Sequence, residues 1–128
     1  MRWFSVAANC ERPAFELSSP ARQNRPAAYT MVGPADRRYA LGIDTATFVD
    51  RGGTWVPVPQ PGHPADQLVA VSAEPMPDCR RIGFVGLPLA LGPHTVTMYE
   101  LTPSGAVEVQ RATIELVPPE DAEPIPRA

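Results

Sequence analysis

The stretch 94–117, HTVTMYELTPSGAVEVQRATIELV, decides how this chain folds. Thr95, Thr97 and Tyr99 alternate with Val96 and Met98, the two-residue period that places successive side chains on opposite faces of a strand. Thr102-Pro103-Ser104-Gly105 then breaks the pattern. Proline pre-sets φ at the second position of a type I turn, and glycine accepts the positive φ that returns the chain to its partner. Residues 106–117 resume as a strand, with Val107 and Val109 on one parity and Ala112, Ile114 and Leu116 on the other. A bulge near Gln110-Arg111 is expected to bring both sets onto the core face and leave Arg111 at the surface.

Outward from this hairpin, proline governs the reading. The chain has 17 prolines and 9 glycines in 128 residues. Each proline fixes φ and removes a backbone donor, costing about 3 kcal/mol in a helix interior. Outside the hairpin, only residues 1–12 and 35–56 are long enough and free enough of proline to admit a long helix. The second holds Gly42, Gly52 and Gly53 among the β-branched Ile43, Thr45, Thr47 and Val49, so strand is favoured there too. Strands are expected at about 2–8, 14–18, 27–33, 38–43, 45–49, 54–58, 67–73, 81–86, 94–101 and 106–117. The near-continuous apolar runs Leu68-Val69-Ala70-Val71 and Ile82-Gly83-Phe84-Val85 read as central strands covered on both sides. Val56 to Pro64 reads as a polyproline-like connection. The acidic, proline-rich segment 118–128 reads as a flexible tail. The sum is one all-β domain over 1–117, an antiparallel two-sheet sandwich, since 44% apolar residues suffice for a single core.

Residues 86–99, Gly86-Leu87-Pro88-Leu89-Ala90-Leu91-Gly92-Pro93-His94-Thr95-Val96-Thr97-Met98-Tyr99, resemble the corner before the penultimate strand of immunoglobulin-like and fibronectin type III-like domains. There a Leu-x-Pro-Gly-x-Tyr-like run precedes an outgoing strand that hairpins into the last one. Here glycine and proline are transposed, and His94 or Val96 stands near the place of the corner tyrosine. The resemblance covers about residues 80–117. It implies a sandwich of that kind and carries no activity with it.

Charge and composition remove several chemistries. Eleven basic against fourteen acidic residues leave a net charge of −3, and the arginines are scattered apart from Arg37-Arg38 and Arg80-Arg81. A nucleic-acid footprint needs clustered positive charge. All eleven basic residues are arginine. With no lysine the chain forms no Schiff base and holds no Gly-Lys-Ser/Thr phosphate loop. The same bias fits a GC-rich coding genome, as in bacteria and their viruses. Met1 to Ala8 carries an apolar run shorter than a signal-peptide core, and no stretch approaches the ~20 apolar residues of a membrane span. A cytoplasmic or virion- or envelope-assembled setting is therefore expected, with the compartment undetermined.

The candidate sites are few. Cys10 and Cys79 fit no metal-type spacing; they read either as reduced packing thiols or as one disulfide, with the short apolar start favouring the thiols. Ile43-Asp44-Thr45-Ala46-Thr47 looks like the Asp-Thr/Ser-Gly/Ala signature of dimeric aspartic proteases, in which two carboxylates share a proton, with Ile82 to Gly86 as the packing segment behind it. Ala46 replaces the usual glycine, and the plain alternative is a strand-end aspartate opening a turn. His63 and His94 would suit a metal only with Asp44 or Asp66 beside them. No metal or cofactor is expected. Most aromatics read as core. Trp55, with Arg51 before it and His63 beyond, marks the candidate binding face, for a protein partner, a second copy or a stacked sugar. The reading that follows is a non-catalytic module working by contact, with an Asp44 hydrolase and a Trp55 carbohydrate-binding module as rivals.

Overall fold

The computed structural model describes residues 10–18, 20–63, 69–73 and 79–119, and the regular elements among them are all strands. These are β1 (Ala14–Leu17), β2 (Ala21–Arg22), β3 (Ala27–Val32), β4 (Arg38–Ile43), β5 (Thr45–Arg51), β6 (Thr54–Pro59), β7 (Val69–Ala73), β8 (Arg80–Val85), β9 (Gly92–Thr102) and β10 (Gly105–Val117). The expected strand at 2–8, the residues 67 and 68, and most of the tail lie outside the described residues. No helix among them is long and apolar enough to cross a membrane.

Three sheets form. One has the order β1-β3-β8, the second β2-β10-β9-β4-β7, and the third is the hairpin β5-β6. Most pairs are antiparallel, but β2 runs parallel to the end of β10, with Ala21 opposite Leu116. The first stretch of chain thus contributes to both large sheets, β1 to one and β2 to the other. β2 was not expected from sequence. It is two residues long and exists through its pairing with β10, so no local pattern marks it.

Alternation along the strands builds two cores. Phe15, Ala27, Met31 and Val85 of the first sheet meet Tyr39, Leu41, Ile43, Val96, Met98 and Leu116 of the second. On the opposite face of the second sheet, Ala40, Tyr99 and Leu101 pack against Phe48, with Trp55 and Ala70 at the margin. The hairpin β5-β6 is what covers that face. Gly42 makes this possible, because a Cβ there would run into the Thr45 side chain as the chain folds back over β4.

Sheet order corrects the expectation about central strands. Among the described residues β7 and β8 lie at sheet edges, and the strands covered on both faces are β4 and β9. In β8 the apolar run splits between faces: Val85 is buried, whereas Ile82 and Phe84 are 63% and 71% exposed. Apolar continuity therefore reflects two differently used faces rather than double coverage. The polyproline reading of 56–64 changes as well, since β6 pairs through Pro57 and Pro59. Those prolines share one parity and β6 pairs only with β5 among the described residues, so the missing N–H groups fit the open edge.

The hairpin β9-β10 forms as expected. Its bulge falls between Glu108 and Gln110, one residue earlier than expected, and turns Val109, Ala112 and Ile114 toward the main core. Val107 stays 53% exposed, ahead of the bulge and on the far side of the pleat shift.

Candidate functional site

Asp44 is the single residue between β4 and β5, where the chain leaves one sheet for another. Its φ is +59°, a conformation that aspartate tolerates better than most residues because its short side chain bonds locally. Both backbone groups are held: Asp44 N–H donates to Thr95 O at 2.8 Å, and Gln60 N–H donates to Asp44 O at 2.9 Å. The side chain is equally engaged. Oδ1 accepts the Thr95 amide at 3.1 Å, and Oδ2 lies 2.6 Å from His94 Nδ1. His63 Nδ1 stands 3.6 Å from the same Oδ2, so both histidines of the chain converge on one carboxylate.

His94 is bound at both ring nitrogens, with Nε2 2.6 Å from the Ala90 carbonyl. A carboxylate and a carbonyl can only accept, so this pair of partners favours the doubly protonated ring, in which both nitrogens donate. Burial acts to lower its pKa, but the bonds to Ala90 and then to Asp44 outweigh it and raise it above the usual histidine value. Both ring nitrogens of His94 are already engaged with protein oxygens. No cluster of three potential ligands occurs among the described residues.

This geometry bears on the protease-like motif. Asp44 is only 6% exposed and its oxygens are committed to His94 and Thr95. Ala46 sits at a register irregularity of β5, and Ile82 lies exposed on β8 rather than behind Asp44. The carboxylate joins β4, β5 and the start of β9.

The remaining candidates fall at two other places. Gly52 and Gly53, both at positive φ, close the β5-β6 hairpin, where Asp50 Oδ1 accepts the Gly53 amide at 2.8 Å. Arg51 is exposed at that tip. Trp55 is half-buried against the second core and is not a free ring on a loop. His63 is 41% exposed in its side chain and follows Gln60 in a turn beside Asp44, at the end of the β5-β6 hairpin opposite its tip. Arg51, Trp55 and His63 thus do not share one constellation. Tyr39 and Tyr99 are core residues, and Trp3 lies outside the described residues.

Cys10 and Cys79 are joined in a disulfide, with Cα atoms 5.6 Å apart, in place of the reduced thiols favoured from sequence. Their strands explain the meeting. β1 and β8 flank β3, and Cys10 and Cys79 each lie just before the start of those strands. Sequence distance, 69 residues, hides the proximity.

Arg81 is a feature not anticipated from sequence. It is 1% exposed, its guanidinium 4.9 Å from the Tyr39 ring centre. Nη1 donates to Gly33 O at 2.8 Å and Cys79 O at 3.0 Å, and Nη2 to Pro34 O at 2.8 Å and Arg37 O at 2.7 Å. One fork thereby holds three carbonyls of the β3-β4 turn and that of Cys79, just before β8. The available signal was parity, since Arg81 alternates with Gly83 and the buried Val85.

Comparison with known proteins finds no family that matches this chain, and no curated protein that matches it.

Proposed function

We propose that this chain is a non-catalytic, immunoglobulin-like β-sandwich module that acts by contact with protein, as a subunit of an assembly or as a ligand-binding domain. The observation that carries the contact reading is the side-by-side exposure of Ile82 and Phe84 on the edge strand β8. Two large apolar side chains two residues apart share one sheet face, and such patches mark interaction surfaces.

Strand order supports the fold part of the reading. The orders β1-β3-β8 and β2-β10-β9-β4-β7 fit the two sheets of that fold, with β5-β6 as an added hairpin. His94 adds to it. Its Nε2 bonds the carbonyl four residues upstream, the kind of bond a corner tyrosine makes in such domains. The Cys10–Cys79 bond lies elsewhere than the inter-sheet bridge of antibody domains, and it favours a compartment that permits disulfides.

The test is Ile82→Glu combined with Phe84→Glu in the full chain. Exposed substitutions of this kind change stability by roughly 0.5 kcal/mol or less, so folding is expected to persist. Multi-angle light scattering and cross-linking in the native extract are expected to show an assembly that the double variant loses. A wild-type monomer with the same cross-linked neighbours as the variant overturns the reading.

A further inference from the structure

β1 has β3 on one side and, among the described residues, no strand on the other. Ser18 N–H donates to Ala28 O at 2.8 Å, which fixes the phase of the β1-β3 ladder. The even positions of β1 bond to β3, and Phe15 and Leu17 turn their backbone groups to the open edge. Across that edge lies β10, leaving a slot of about 480 Å³ lined by Phe15, Leu17, Gln110, Ala112 and Ile114, among others.

One contact in the slot shows what chemistry belongs there. The Phe15 amide donates to Gln110 Oε1 at 2.8 Å. A side-chain carboxamide has the donor and acceptor pattern of a peptide group, so Gln110 occupies the place that the carbonyl of an added strand would take. The bulge at Glu108/Gln110 is what aims this side chain toward β1.

We propose that the β1-β10 slot receives an extended segment of a partner protein, which pairs antiparallel or parallel with β1 and displaces the Gln110 carboxamide. This rests on the contact reading above and names the partner's form: a strand with apolar side chains at alternate positions, directed at Phe15, Ala112 and Ile114. Backbone bonds supply affinity and the alternate side chains supply choice. The recess lies between two strand edges, so it admits a single chain. A second copy would have to bring its own β1 edge flanked by its own β10.

The probe is a phage-displayed library of random octapeptides selected against the full chain, followed by amide exchange of the complex. Enriched peptides with alternating apolar positions are expected, with slowed exchange at Leu17. Gln110→Ala is expected to tighten binding about threefold, because it removes the competing carboxamide. Leu17→Pro deletes the outward donor while sparing the β3 ladder, and is expected to weaken binding about tenfold. If Leu17→Pro does not fold, Ala112→Arg, which fills the slot from β10, provides the same loss. Peptides that protect residues 82–84 instead overturn the slot and leave the contact reading standing. Failure to enrich any peptide overturns the slot. So does a Leu17 amide already protected in the free protein, through self-association if protection rises with concentration and through this chain's own segments if it does not.

Discussion

His94 Nδ1 lies 2.6 Å from Asp44 Oδ2, tying the start of β9 to the one-residue corner between β4 and β5. The bond holds a positive-φ aspartate and a largely covered histidine side chain in one place. Its strength depends on the histidine proton.

The folded-state pKa of His94 is raised above the ordinary value near 6.5, burial being outweighed by its bonds to Ala90 and Asp44. A raised histidine pKa stabilises the fold fully below the unfolded value, and the contribution is lost as pH rises through the folded one. Melting temperatures are therefore expected to fall as pH climbs from about 6 through the raised pKa. His94→Gln is expected to lower stability at pH 5.5 by about 2 kcal/mol and to flatten the dependence. An unchanged slope in that variant would contradict the assignment.

Arg81 satisfies four carbonyls from within the core. Arg81→Ala takes the donor from the buried Gly33 carbonyl, while Pro34 O and Cys79 O keep the backbone amides of Arg37 and Gly33, and a loss of about 2–3 kcal/mol is expected in urea unfolding. Arg81→Lys is not conservative here, because a single ammonium cannot span the same four acceptors. It is expected to lose at least half as much.

Tyr39 presents the opposite case. Its hydroxyl is buried with no hydrogen-bond partner among the described residues, and burial is the leading cause that raises its pKa. Tyr39→Phe removes an unsatisfied group and keeps the ring under Arg81. Stability is expected to hold or rise by up to about 1 kcal/mol. A loss in thermal unfolding beyond that range would mean the hydroxyl has an acceptor.

The Cys10–Cys79 bond closes a loop spanning 69 residues of sequence. Loop-closure entropy for that span is about 4 kcal/mol, before any strain is subtracted. Cys10→Ser with Cys79→Ser is expected to lose about 2–4 kcal/mol, read as a lowered denaturant midpoint. An unchanged midpoint would show that the unfolded chain is already constrained there.

Local period made most of the fold legible. Strands β3, β4, β5, β8, β9 and β10 follow alternation and turn residues, and each expected range overlaps the observed one. What periodicity does not report is which face of a strand is covered. Ile82 and Phe84 look like core residues in sequence and stand exposed, whereas Arg81 just before them is buried. Coverage is decided by sheet order, a tertiary property. The same holds at the corner, where Asp44 and His94 are each visible as candidates but meet across 50 residues. β2 and the Cys10–Cys79 pairing were hidden for the same reason, since both are made by distant chain rather than by neighbours.

The parallel β2-β10 contact gives the domain a mechanical character. Tension applied to the chain before β2 and after β10 would draw these strands in opposite directions along a common axis. The bonds at Ala21–Leu116 and Arg22–Val117 would then be loaded together in shear, rather than opened one at a time like a zip. With the Cys10–Cys79 bond reduced, so that the load passes through β2, a force–extension trace should show this as a distinct early rupture, removed by Ala21→Pro, before the two large sheets part.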